Sequence, residues 1–330
     1  MMRTTQRIAP NQIQLAAEMI RNGQTVAFPT ETVYGLGADA LNAQAVERIF
    51  LAKGRPSDNP LIAHVASVEQ LPAISEHISL IANILIERFW PGPLTIVVPK
   101  SIHVPDNVTA GLPTVAVRMP QEPLALDLIR LADRPIVAPS ANRSGRPSAT
   151  TWESVLEDLD GRIDGVICGP QTRIGLESTV VDTTTDRPIL LRHGAITEEM
   201  IAEVCGEITA SVPENSELRG RSPGTRHRHY QPRARVLLAD NLNQIQPRGE
   251  RLGMIGLANS KDAPSLAERL KSRFPLANIL LCDSLEQYAN RLFEFFRECD
   301  AIGVDTLYCQ SVERKGLGRA IMDRLDRAAE

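Results

Sequence analysis

Apolar positions along the 330-residue chain follow two alternating rhythms. Short β-branched runs read as buried strands: TVAF (25–28), NPLIAHVA (59–66), LTIVV (94–98), TVAVR (114–118), PIVAP (135–139), GVIC (165–168), STVVD (178–182) and ILLR (189–192). Between them, apolar residues three or four apart predict helices over QIQLAAEMIRN (12–22), AQAVERIFLA (43–52), ISLIANILIERF (78–89) and WESVLEDL (152–159). Strands alternating with helices predict an α/β fold with a sheet of mixed order. Local signals suggest the helix ends. Asn11 is placed to cap the first helix and Gly23 to end it, Gly54 ends the second, and WPGP (90–93) stops the third. Thr150 and Glu153 predict a capping box for the fourth.

The pattern breaks over residues 211–233, where prolines and glycines crowd together and six arginines fall from Arg219 to Arg235. Such a stretch reads as a linker or a functional loop, not as a core element. Beyond it, ARVLLAD (234–240), RLGMIGLA (251–258) and NILLCD (278–283) predict strands of a second, smaller α/β domain. LEQYANRLFEFFREC (285–299) and LGRAIMDRLDRAA (317–329) predict two closing helices.

Composition adds boundaries to this picture. A hydrophobic content of 43% suits a globular protein, and a net charge of −4 argues against a surface that is basic all round. The five cysteines (Cys168, Cys205, Cys282, Cys299, Cys309) are scattered and form no CxxC, which suits reduced thiols better than disulfides or a zinc site. The N-terminus lacks the apolar core of a signal peptide, and no apolar run approaches the roughly 20 residues of a membrane span. A cytoplasmic enzyme or binding protein is the expectation.

Candidate chemistry collects at strand ends. FPTETVYGLG (28–37) is neither a Walker A loop, having no lysine after its second glycine, nor a G-x-G-x-x-G fingerprint. Gly35 and Gly37 read as residues of a turn or of a close backbone approach. Thr30 and Thr32 offer hydroxyls at the end of a strand, where α/β proteins tend to place ligands. In LAKGRPSDNPL (51–61), Lys53 and Arg55 lie two apart in a loop, as either a solvated basic turn or a site for a polyanion such as a triphosphate. PSANRSGRPSATT (139–151) presents Ser140, Asn142, Ser144 and Ser148 with Arg143 and Arg146 between them, and no G-x-S-x-G marks a hydrolase nucleophile. Arg118 and Arg192 close apolar strands, where a charge must meet solvent or an anion. His227 and His229 form an H-x-H that is either a metal pair or part of a polar loop.

Together these stretches resemble the threonylcarbamoyl-adenylate synthase family, of YrdC-type fold, in its long two-domain form. The resemblance rests on FPTETVYGLG, KGRPSDNPL, RFWPGPLT, VAVRMP, PSANRSGRPS, ESTVVD and LLRHGAI, with SPGTRHRHYQP and GLGRAIMDRL specific to the long form. Lys53, Arg55, Ser140 and Asn142 match the family's shared signature. The linker departs from the family pattern at Thr225, Arg226 and His227, while Tyr230 matches. The resemblance implies a twisted mixed sheet with helices over 1–210, a linker or lid over 211–233, and a Rossmann-like α/β domain over 234–330.

The implied reaction makes threonylcarbamoyl-AMP and pyrophosphate from L-threonine, bicarbonate and ATP, for threonylcarbamoyladenosine modification of tRNA. It implies Lys53 and Arg55 as catalytic residues, and ATP on Lys53, Arg55, Asn59, Thr114, Ser140, Asn142, Ser148 and Arg192. L-Threonine is expected on Thr32, His64, Arg118, Ala138, Ser178 and Tyr230. No dedicated metal site is implied, Mg2+ being expected to arrive with ATP. Downstream threonylcarbamoyl-transferring proteins are the implied partners, with tRNA contact as a further possibility. The rivals are an RNA-binding module of the same fold without synthase activity, and a carbamoyl-transfer enzyme of the hydrogenase-maturation type. The latter usually carries zinc-finger and acyl-phosphatase-like segments, and this chain has neither.

Overall fold

The computed structural model describes residues 4–209, 220, 230–246, 251–258 and 263–329. The expected linker lies outside the described residues apart from Gly220 and 230–233, and so do His227 and His229. Contacts divide the chain into two units. The second combines the C-terminal stretch with two short segments, Gly145–Pro147 and Ile174–Leu176.

In the first unit the described strands are β1 (Gln6–Ile8), β2 (Val26–Phe28), β3 (Gly35–Asp39), β4 (Ile62–His64), β5 (Leu94–Pro99), β6 (Thr114–Arg118), β7 (Ile136–Val137), β8 (Gly165–Ile167), β9 (Thr179–Asp182) and β10 (Ile189–Arg192). They form a sheet in the order β1-β8-β2-β3-β7-β4-β6-β5-β9-β10. Some neighbours run parallel, as β4 with β6 and β5 with β9, and others antiparallel, as β5 with β6 and β9 with β10. The helices are α1 (Ile13–Arg21), α2 (Ala43–Lys53), α3 (Leu80–Phe89), α4 (Asp106–Thr109), α5 (Pro123–Ala132), α6 (Trp152–Leu159) and α7 (Glu198–Cys205).

Side-chain alternation divides the labour of this sheet between its faces. Ala63, Ile96, Val98, Val115, Val117, Val181 and Leu190 join one core with residues of α2, α3 and α6. Burying each Ile, Leu or Val there contributes about 1.5–3 kcal/mol. The intervening Ile62, Val97, Ala116, Val180, Ile189 and Leu191 form a separate small apolar cluster. The same alternation puts His64, Arg118, Thr95 and Thr114 on that second face, and the strand register sets His64 opposite Arg118 and Arg118 opposite Thr95. A bulge between Leu190 and Arg192 brings Arg192 opposite Val180, so this arginine shares the face as well.

Helix ends differ from expectation in two places. A short 3-10 turn, Pro10–Gln12, absorbs Asn11, and α1 starts at Ile13 after Gln12 with no side-chain cap. Proline presets the backbone of that tight turn, so Asn11 lies inside it and not at a cap position. At α6 the cap is Thr151, whose hydroxyl accepts from Ser154 N at 3.2 Å, and Glu153 closes no capping box. By contrast Asn42 caps α2, accepting from Gln44 N and Ala45 N at 3.1 Å, and Gly54 ends it in the left-handed region at φ 61°.

The two glycines of FPTETVYGLG are not turn residues. Both lie in β3, paired antiparallel to β2, and neither has a positive φ. A Cβ on Gly37 would stand 2.8 Å from the Phe28 ring and 2.9 Å from Ile136 Cγ2, and one on Gly35 would stand 3.0 Å from Ala138 Cβ. Close packing across the sheet is what requires them.

The second unit holds a parallel sheet in the order β11-β14-β12-β13, from β11 (Arg235–Ala239), β12 (Leu252–Leu257), β13 (Asn278–Cys282) and β14 (Thr306–Gln310). Helices α8 (Ala263–Arg273), α9 (Leu285–Ala301) and α10 (Leu317–Ala329) accompany it. Its core gathers Tyr288, Leu292, Phe293, Phe296, Ile321 and Leu325. β14, the strand between β11 and β12, and α8 both escape the periodicity reading. TLYCQ, with threonine and glutamine at its ends, lacks the dense β-branched run that marks strands such as β5 and β6. No described helix is long and apolar enough to cross a membrane.

Candidate active site

Lys53 is the last residue of α2, not a loop residue, and only 3% exposed. Helix phase turns it inward with Ala45, Val46, Ile49 and Phe50, and its Nζ donates to the carbonyls of Ser140 and Asn142. Ser144 N in turn donates to the Lys53 carbonyl at 2.9 Å. A lysine is buried only when such groups replace water around its ammonium, so this cation and the Ser144 backbone bond together hold the helix end to the SAN loop. Arg55 follows in the loop, donating from Nη2 to the carbonyls of Asn59 and Pro60 at 3.3 and 3.1 Å. Ser140 reaches the edge of β3 through an isolated bridge to Gly35. Asn142 is buried, with its Nδ2 on the Arg143 carbonyl at 2.8 Å.

A second group of residues surrounds Arg118. Its Nε donates to Gly92 O at 3.1 Å and its Nη1 to Thr32 Oγ1 at 2.9 Å, and Nη2 lies 2.6 Å from Glu31 Oε1. Thr30 Oγ1 donates to Val33 O at 2.7 Å and lies 2.8 Å from Thr32 Oγ1. One hydroxyl carries one proton, so Thr32 donates to Thr30 and keeps only acceptor capacity for a further group. Glu31 has no exposed surface, and composition and spacing did not mark it. A carboxylate between two threonines looks like an ordinary polar turn in one dimension. His64, beside Arg118 in the register, is buried. Burial and the nearby Arg118 charge push its pKa down to about 3, so it is a neutral hydrogen-bonding group. Its Nδ1 and the Thr114 hydroxyl have no hydrogen-bond partner among the described residues.

The third group spans β5, β9 and β10. Ser178 Oγ lies 2.8 Å from Thr95 Oγ1, and Arg192 donates to both the carbonyl and the hydroxyl of Ser178 at 2.9 and 3.1 Å. Ser148 Oγ donates to Glu177 Oε1 at 2.5 Å, a charge-assisted contact that fixes the hydroxyl's orientation. Ala138 is buried beside Gly35, and Asn59 is buried near the start of β4.

The structure thus brings His64, Arg118, Thr114 and Arg192 onto one face, with Thr32 and Ser178 hydrogen-bonded to its arginines. Lys53, Ser140 and Asn142 form a second linked group. Tyr230 lies in the second unit, stacked on Phe293 with ring centroids 5.2 Å apart and with the Arg324 guanidinium 5.6 Å from its ring. It adopts a φ of 68°. Among the described residues no three His, Cys, Asp or Glu side chains group as metal ligands.

Comparison with known proteins places this geometry in context. A family model described as telomere recombination, covering the Sua5, YciO and YrdC proteins, matches residues 18–194. A model described as the C-terminal domain of threonylcarbamoyl-AMP synthase matches residues 196–330. The chain is 46% identical to the threonylcarbamoyl-AMP synthase of Pyrococcus abyssi, across 98% of this chain and 96% of that protein. Its identity to the Bacillus subtilis protein of the same name is 44%, across 96% and 93%. The structure of P. abyssi Sua5 complexed with L-threonine superposes with a TM-score of 0.83 at 42% identity, covering 98% of this chain and 97% of that one.

Proposed function

The chain belongs to the threonylcarbamoyl-AMP synthase family, and from that premise we propose how its own residues divide the work. It is a nucleotidyltransferase that converts L-threonine, bicarbonate and ATP into threonylcarbamoyl-AMP and pyrophosphate, for the threonylcarbamoyladenosine modification of tRNA. The observation that carries the assignment of roles is the buried Lys53 ammonium, clamped to the SAN loop by two carbonyls. A cation fixed in this way needs no reorganisation when charge develops on a phosphate.

Lys53, Arg55 and Arg192 receive the polyphosphate, while Asn59, Thr114, Ser140, Asn142 and Ser148 bind the rest of the nucleotide. Arg118 pairs with the carboxylate of threonine, and Thr32, His64, Ala138 and Ser178 line the amino acid. Threonine's amine and bicarbonate combine to an N-carboxylate, already an anionic nucleophile. Its attack on the α-phosphate therefore depends on in-line positioning and charge neutralisation more than on a general base. Mg2+, carried on the ATP phosphates, supplies further neutralisation when bound. The labile product passes to threonylcarbamoyl-transferring proteins acting on tRNA.

The test is incubation with ATP, labelled bicarbonate and threonine. A labelled adenylate that forms only with threonine present, with matching pyrophosphate release, is the expected result. Pyrophosphate release at the level of a no-enzyme blank overturns the assignment.

A further inference from the structure

Glu31 is the feature of this face that the division of roles above does not use. It sits in the turn between β2 and β3 with 0% exposure, and its contact with Arg118 at 2.6 Å involves only Oε1. Neither of its oxygens makes a hydrogen bond of ordinary geometry among the described residues. Buried acceptors are nearly always satisfied, and an ionised carboxylate enclosed without enough donors is costly. Its neighbour Thr32 likewise retains only acceptor capacity, since its proton goes to Thr30.

A ligand that completes Glu31 must therefore supply hydrogen-bond donors, and a charged donor bonds a carboxylate most strongly. An ATP phosphate has the wrong sign. A divalent cation needs several oxygen ligands, and among the described residues Glu31 belongs to no group of three or more His, Cys, Asp or Glu side chains that could hold one. A primary ammonium meets the requirement with three N–H groups and one charge. Arg118, in contact with Glu31, presents the opposite polarity. Side by side, the two match a zwitterionic α-amino acid, whose carboxylate and ammonium are separated by one carbon.

We propose that Glu31 is the receptor for the α-ammonium of the amino-acid substrate, so that the Glu31–Arg118 pair selects a zwitterion over a simple hydroxy acid. This rests on the reading that threonine is a substrate. It also gives the ion pair a purpose. Before substrate binds, the two charges neutralise each other, and the amino acid exchanges one internal ion pair for two that cross to it.

The experiment compares binding of L-threonine with that of 3-hydroxybutanoate, which keeps the carboxylate and hydroxyl but has hydrogen in place of the ammonium. Both are titrated calorimetrically into the full chain, wild type and Glu31→Gln. Hydrogen bonds to charged groups are worth enough that wild type should prefer threonine by about 10- to 100-fold. Glu31→Gln should reduce that preference to about threefold or less. Equal weakening of both ligands in the variant, as expected if Glu31 merely props Arg118, overturns the proposal, as does an unchanged preference. Should Glu31→Gln not fold, the wild-type ratio decides, and a preference below about threefold overturns the proposal. Adenylate formation by the same wild-type preparation separates the two readings. Product without ammonium selectivity removes only the role of Glu31, and absence of product removes the functional assignment itself.

Discussion

Lowering the pH from 7 to 5 should destabilise the first unit through His64 alone, by an amount that follows from its environment. In the folded chain its pKa is lowered to about 3 by burial and by Arg118. In the unfolded chain it returns to about 6.5. The folded value is the lower one, so the contribution to stability is full above the unfolded pKa and is lost as pH falls from about 6.5 toward 3. At pH 5 an unfolded histidine is about 97% protonated while His64 in place stays neutral, and linkage makes the loss between pH 7 and 5 about 2 kcal/mol. This figure is insensitive to the folded value so long as that value stays below about 4.

Urea unfolding followed by tryptophan fluorescence reads the effect, because the chain's two tryptophans, Trp90 and Trp152, both belong to the first unit. Other groups titrate over the same range, so the informative quantity is wild type minus His64→Asn at each pH. That gap should shrink by about 2 kcal/mol between pH 7 and pH 5. A gap constant within about 0.5 kcal/mol would show that His64 titrates normally and is not held neutral beside Arg118.

Three further outcomes follow from named contacts. Arg118→Ala leaves Glu31 enclosed without its cation and should cost about 3–5 kcal/mol in the same urea assay, whereas Arg118→Met combined with Glu31→Gln should recover most of that loss. Gly37→Ala drives a methyl group against Phe28 and Ile136 and should cost about 1–3 kcal/mol, and a neutral result would mean that β2 and β3 are less tightly packed than described. Lys53→Ala should reduce threonine-dependent pyrophosphate release about 100-fold or more, and a loss of less than about threefold would remove this lysine from the phosphate site.

Much of the architecture was legible in one dimension because strands of this sheet carry dense β-branched runs. TVAVR and LTIVV announce themselves regardless of their neighbours, and Asn42 and Gly54 mark α2 by local chemistry. TLYCQ did not, since its place between β11 and β12 comes from partners distant in the chain. The start of α1 slipped because a proline-led turn absorbs Asn11, and the cap of α6 moved by one residue where two adjacent threonines compete for it. In FPTETVYGLG the expected close approach at Gly35 and Gly37 holds while the expected turn does not, for a related reason. A sequence shows that glycine is present, but only packing shows that Phe28 and Ile136 leave no room for a Cβ at Gly37.

By itself, the sequence determined the α/β class, the positions of the main strands and helices, and the residue types able to meet phosphate and an amino acid. These depend on local periodicity and on linked motifs, which need no knowledge of distant contacts. Tertiary structure alone decided which side chains share a face. Strand register set His64 beside Arg118, and a bulge brought Arg192 round to them. Burial turned Lys53 from a surface cation into a carbonyl-bound one, and it made Glu31, silent between two threonines in the sequence, the counter-ion of Arg118. Charge and hydrogen bonding act through space, and their strength depends on solvent exclusion, so no linear pattern could have assigned those pairings.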